Sequence, residues 1–173
     1  MDTVALAERY ARVKGALPEH VKLIAVSKKR TAEEIQRLYD LGQRAFGENY
    51  PQELRDKQPE LPEDIEWHFI GHLQTNKVKY IASFVHLVHG VDREALLDEL
   101  NKRAATSGRT IGVLLQVHIA QEETKHGFLP DEIRALCAGG DLQSRWPVSY
   151  THLRAHETVL DLVCRLLLEK KKN

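Results

Sequence analysis

The chain has 173 residues, 25 basic and 25 acidic, with zero formal charge and 42% hydrophobic content. That length is ample for one domain with a real core, and the balanced charge excludes the net basic field of a general nucleic-acid or membrane-surface binder. No apolar run approaches the roughly 20 residues of a membrane span. The N-terminal stretch is charged and amphipathic rather than a signal peptide, and the two cysteines, Cys137 and Cys164, make no disulfide framework, so a cytoplasmic setting is expected.

The spacing of Leu6, Tyr10 and Val13 predicts a first helix from Val4 to Lys14, with Gly15 as its stop. Val21 to Lys29 is a short, nearly continuous apolar run and reads as a buried strand. Thr31 with Glu34 three residues on forms a capping box that opens a helix through Leu41. The same grammar then repeats. Strands are predicted at Arg44–Glu48, Trp67–Ile70, His86–Val91 and Ile111–Ile119. Their helices are predicted at Gln52–Gln58, Asn76–Ser83, Glu94–Ala105 and Pro130–Ala138, with Asn76 and Asp92 as N-caps and Pro130 near the first turn.

Strand–helix alternation with short connections means an α/β fold with a parallel sheet and helices outside it. No G-x-G-x-x-G or Walker A sequence follows any strand. Polar groups gather instead at the ends of successive strands: Ser27-Lys28, Gly47-Glu48-Asn49, His68 with Gly71-His72, Asp92 and His118. Side chains contributed by several strand ends are the pattern of a (β/α)8 TIM barrel. A complete barrel needs about 250 residues, and this chain supplies the first five β/α units. An open set of five would leave strands one and five as unpaired edges, so poor folding is expected of the chain as written.

From Val148 the grammar stops. Written back into codons, Val148 to Thr158 reads as the transposase end and adapter of a short-read sequencing library. Leu162 to Leu168 reads as the flow-cell primer, and an adenine run gives Glu169 and Lys170 to Lys172. The domain reading is therefore a partial barrel over residues 1–146 and an adapter-derived segment over 147–173. The competing reading of that segment is an amphipathic helix carrying Val159, Leu160, Val163, Leu166 and Leu167.

Lys28 is the most informative position. It ends an apolar strand, and a lysine amine shielded from water is the group that condenses with an aldehyde. Spacing alone favours a solvated basic turn for Lys28, Lys29 and Arg30, and only the wider pattern of motifs reverses that reading. The nine histidines give no metal site by spacing. His68 and His72 straddle Gly71, His86 and His89 fall on opposite faces of a strand running through both, and His152 and His156 lie in the adapter-derived segment. No C-x-x-C or H-E-x-x-H is present. Asp92 and Asp98 read as a cap and a solvated face, and Glu122 and Glu123 as adjacent loop residues rather than a glycosidase pair.

Three motifs occur in order at the ends of strands one to three: AVSK at Ala25–Lys28, FGENY at Phe46–Tyr50 and WHFIGHLQTNK at Trp67–Lys77. Together with EETKHGF at Glu122–Phe128, they resemble the pyridoxal phosphate homeostasis proteins, or YggS family, relatives of the N-terminal barrel of alanine racemase. The resemblance runs from Met1 to about Trp146. It implies that pyridoxal 5′-phosphate (PLP) is held as a Schiff base on Lys28, with Asn49 near the phenolic oxygen and His68 at the same rim as a ring neighbour or hydrogen-bonding group. His68 reads equally as a barrel-core histidine. Gln74, Asn76 and Lys77 match the motif without an assigned contact, and no role follows for Lys125 and His126. The family's phosphate-binding part lies in a final third that this sequence does not contain. The implied function is intracellular PLP homeostasis by storage, buffering or delivery to apo-enzymes, from a cytoplasmic monomer without turnover, nucleic acid or membrane. The alternative is a PLP-dependent amino-acid racemase or lyase using Lys28 as base.

Overall fold

The computed structural model describes residues 3–118, 127–138, 146 and 149–152. Helix α1 spans Thr3–Gly15, and the chain then enters strand β1, Ala25–Val26. The following elements are α2 (Ala32–Asp40), β2 (Ala45–Glu48), α3 (Pro51–Lys57), β3 (Glu66–Phe69), β4 (Leu87–Val91), α4 (Glu94–Thr106), β5 (Ile111–Leu115), α5 (Pro130–Ala138) and β6 (Ser149–His152). Short 3₁₀ helices follow α3 at Gln58–Glu60 and β3 at Thr75–Tyr80.

All six strands are parallel, and their order across the sheet is their order in the chain. A doubly wound sheet reverses direction at a switch point; this one advances by one strand at each step, as the wall of a barrel does. The sheet is part of an α/β barrel wall.

The predicted capping box is present. Glu34 donates its backbone N–H to Thr31 Oγ1 at 3.2 Å, and Thr31 donates its own to Glu34 Oε2 at 3.0 Å. The β1 ladder is shorter than the apolar run Val21–Lys29, because only Ala25 and Val26 find partners, on Phe46 and Gly47. Asn76 does not cap a helix: Gln74 precedes the 3₁₀ segment there, and no side chain caps it. Nor does Asp92 cap α4. Arg93 holds that position without a side-chain cap, and Asp92 is buried against Arg93 and His72.

Alternation along the strands separates two faces. Ala25, Phe46, Trp67, Phe69, Val88, Ile111, Val113 and Leu115 are buried in one core with Leu54, Val78, Leu96, Leu97 and Leu100 from the helical side. Ile24, Gly47, His68 and Ile70 lie on the other face. There a Cβ on Gly47 would stand 3.1 Å from Ile70 and 3.3 Å from Ile24.

β5 is not an edge. Ser149–His152 pairs with Ile111–Leu114 in a parallel ladder, so the edges of the described sheet are β1 and β6. An unpaired strand edge is a template for an extended segment that follows it, and β6 takes that place. The predicted helix carrying Val159 to Leu167 lies outside the described residues, as do Glu122, Glu123, Lys125 and His126.

Asp98 lies on the exposed face of α4, as its spacing predicts, and is also a hydrogen-bond acceptor there. Its Oδ1 accepts the indole N–H of the buried Trp146 at 2.9 Å, tying α4 to the end of residues 1–146. Asp98→Ala leaves that indole donor without this acceptor and is expected to lower stability by about 1–3 kcal/mol. Chemical denaturation monitored by tryptophan fluorescence checks it, and an unchanged midpoint contradicts it.

Candidate functional site

The C-terminal ends of β1 and β2 are fixed by one buried polar network. Glu48, with no exposed surface, accepts from Ser27 Oγ at 2.7 Å and from Lys57 Nζ at 2.7 Å, both on Oε1. The same Lys57 ammonium donates to the Ser27 carbonyl at 2.8 Å and to Glu53 Oε1 at 2.6 Å. Helical spacing places Glu53 and Lys57 on one side of α3, i and i+4, so both reach the strand ends together. Burial pushes the Glu48 carboxyl pKa up, while the bonds from Lys57 and Ser27 pull against that shift.

The network also shapes the turn that bears Lys28. Glu53 Oε1 accepts the backbone N–H of Lys29, whose φ of 59° is the left-handed region that costs a non-glycine residue roughly 1–2 kcal/mol. Arg30 closes the turn by donating its N–H to the Ser27 carbonyl at 3.0 Å. Lys28 is therefore half-buried on a turn held from both sides, rather than one charge in a solvated basic run. Its amine has no hydrogen-bond or ion-pair partner among the described residues.

Asn49 follows β2 directly and is half-buried, and its buried Oδ1 has no hydrogen-bond partner among the described residues. Gly71 brings the end of β3 against it: a Cβ at Gly71 would stand 2.9 Å from Asn49 Cα and closer still to its carbonyl oxygen. That close approach explains the glycine in the WHFIG motif. An uncommitted lysine amine at these strand ends suits a small carbonyl ligand, and the close approach of Gly71 fixes the backbone of Asn49 beside it. The Lys28 amine fits the aldehyde of PLP, and a bond from Asn49 to the phenolic oxygen would use the amide N–H rather than Oδ1.

His68 is placed differently from the expectation of a rim residue. In register it lies beside Gly47, which pairs with Val26, two residues before Lys28. Its Nδ1 is 2.9 Å from His89 Nε2, and its buried Nε2 lies 3.9 Å from Glu66 Oε2. Both imidazole nitrogens are thus directed at protein neighbours. Burial keeps the pair neutral, holding the pKa of His68 down to about 3 and that of His89 to about 4.

Sequence spacing put His86 and His89 on opposite strand faces. In the structure both rings face His68, at centroid distances of 5.5 and 5.2 Å. The reason is local: β4 starts at Leu87, so strict alternation does not extend back to His86. Glu66, His68 and His86 then offer three ligand atoms within 4.8 Å of one another. Sequence reasoning also left Ser27, Glu53 and Lys57 without a role. The i,i+4 pair on α3 was the available signal, but its buried partner Glu48 could be recognised only from the fold.

Comparison with known proteins places this geometry. The alanine racemase N-terminal domain model matches residues 1–160, and the chain belongs to that family. Among curated relatives, the pyridoxal phosphate homeostasis protein of Aquifex aeolicus is 44% identical over 116 residues, 66% of this chain and 51% of that protein. The Escherichia coli protein of the same name is 39% identical over 128 residues, 72% of this chain and 55% of that one. The chain spans about half the length of these relatives. Among solved structures, PipY of Synechococcus elongatus with PLP bound superposes with a TM-score of 0.76 at 34% identity, over 91% of this chain and 74% of PipY. Alanine racemase of Clostridium difficile shares the fold, with a TM-score of 0.60 at 16% identity over 84% of this chain and 40% of the racemase.

The histidine pair sets an acid limit. Unfolded histidine titrates near about pH 6.5, so below that value the unfolded chain binds protons that folded His68 and His89 refuse. Their contribution is intact above about pH 6.5 and is lost as pH falls toward 4. Glu48 works in the opposite sense, because its raised pKa costs stability as pH rises above the ordinary carboxylate range. The melting temperature is expected to fall between pH 7 and pH 5, and to fall less in His89→Gln. Thermal melts across that range check this, and parallel curves for the two proteins contradict it.

Proposed function

We propose that this chain binds pyridoxal 5′-phosphate through Lys28, and that the protein to which it belongs stores, buffers or delivers the cofactor inside the cell. The observation that carries the reading is the uncommitted, half-buried amine of Lys28 on a turn fixed by Glu48, Lys57 and Glu53. Its support from relatives is the homeostasis proteins at about 40% identity and PipY with PLP bound.

When bound, the cofactor supplies an aldehyde carbon for an amine and an electron-withdrawing ring. Lys28 is the residue that would hold the aldehyde. Asn49 presents an amide for the phenolic oxygen, and Gly71 keeps the backbone of β3 close enough to fix Asn49. His68 stays neutral beneath them, on the row of residues that Val26 and Gly47 define, and forms the floor of the site. All of these lie in residues 1–146; the segment 147–173 takes no part in this reading. The protein is a monomer that passes its cofactor to apo-enzymes.

Titration of the full chain with PLP is expected to give the shifted visible absorbance of an amine-bound cofactor, and Lys28→Ala to remove it. Chiral analysis of alanine and serine incubated with the loaded protein is expected to show no stereochemical exchange. Equal absorbance in Lys28→Ala overturns the assignment of the lysine. Exchange that depends on Lys28 makes the protein a racemase rather than a carrier.

A further inference from the structure

We propose that Glu66, His68 and His86 form a binding site for a divalent transition-metal ion of the zinc class, at the end of the strands away from Lys28. Glu66 opens β3, and His68 follows on the same face two residues later. His86 enters from the neighbouring strand, positioned by its backbone N–H donating to the Trp67 carbonyl at 2.8 Å. The Nε2 atoms of His68 and His86 lie 3.9 and 3.8 Å from the same carboxylate oxygen, Glu66 Oε2. Ligand atoms around a tetrahedral zinc sit about 3.3 Å apart, so each donor needs to close by roughly half an ångström.

A second observation points to a ligand there. His68 is 2% exposed, yet its Nε2 has no hydrogen-bond partner among the described residues and faces Glu66. Its other nitrogen meets His89 Nε2 at 2.9 Å. With the proton on Nδ1 and donated to His89, Nε2 carries a free lone pair, the arrangement by which an outer partner orients a metal-ligating histidine. Two imidazoles and one carboxylate leave a coordination position for water, as in open zinc sites.

The Lys22 ammonium is paired with the same Glu66 oxygen, and its side chain is 52% exposed. It occupies the carboxylate when no cation is bound and has room to swing into solvent when one is. Register separates the Glu66 end of this cluster from Lys28. Glu66 is level with Ala45, and Val26 with Gly47, so Lys28 stands about four residues further along the strand direction, or about 13 Å. His68, level with Val26, is the one ligand shared with the floor of the PLP site, so the metal is titrated into the chain with no PLP added.

The test is titration of the full chain with Co²⁺, followed by its visible ligand-field absorbance, and displacement by Zn²⁺. One equivalent is expected to give a band of low-coordinate cobalt. His86→Ala and Glu66→Gln are expected to weaken binding at least tenfold, and Lys22→Met to tighten it several-fold. His86 is half-exposed, and circular dichroism of each variant confirms an unchanged fold. No band in the wild-type chain overturns the proposal. Equal binding by His86→Ala also overturns it, because the ion then sits on other histidines.

Discussion

A carboxylate with no exposed surface sits where β1, β2 and α3 meet, and the rest of the site hangs from it. Taking Glu48 and Lys57 out of water costs several kcal/mol per ion, and only good geometry with extra hydrogen bonds offsets that. Ser27 and Glu53 supply those bonds, one from the residue that follows β1 and one from α3. Removing one partner of such a pair costs about 3–5 kcal/mol. That penalty is what keeps the strand ends in place and lets Lys29 hold a left-handed backbone. Lys28 inherits its position from residues that have no chemistry of their own.

The inner face of the sheet carries two kinds of chemistry at its two ends. At the C-terminal ends stand the Lys28 amine, the Asn49 amide and a glycine that admits the Asn49 backbone. Two residues deeper, His68 and His89 lean on each other as neutral imidazoles, and beyond them stand Glu66, which opens β3, and His86, just before β4. The parallel register puts these levels in sequence along the strands. Burial governs both ends. It favours an uncharged histidine pair in the middle, and it leaves unpartnered atoms on Asn49 and His68 where a ligand can supply the missing bond.

Much of this was legible in the sequence, for identifiable reasons. Thr31 and Glu34 are three residues apart, and a capping box is a local interaction that spacing alone specifies. Helix α5 falls where Pro130 puts it. The order of AVSK, FGENY and WHFIG marked the ends of β1, β2 and β3, which are the strands that build the site. What spacing missed was long-range. Asp92 looks like an N-cap beside Glu94, yet it is buried and paired with the partly exposed Arg93, with His72 beside it. Asp98 is exposed as its spacing predicts, but its bond to the Trp146 indole, 48 residues away, leaves no local mark. Lys57 has no role that spacing alone shows, because its buried partner Glu48 comes from a strand whose neighbours are known only once the sheet is assembled. β6 depends on the open edge of β5 and leaves no comparable local mark.

The central claim is that the Glu48–Lys57–Glu53 network makes Lys28 the amine that takes the aldehyde. Borohydride trapping of PLP on the full chain, with peptide mapping of the pyridoxyl label, tests this directly in wild type and in Glu53→Ala. Glu53 is partly exposed, and its removal leaves Lys57 paired with Glu48 while freeing the turn at Lys29. The account predicts label concentrated on Lys28 in the wild type, and a several-fold loss of that preference in Glu53→Ala. Label spread evenly over the exposed lysines of the wild type, or a preference for Lys28 that survives in Glu53→Ala, contradicts it.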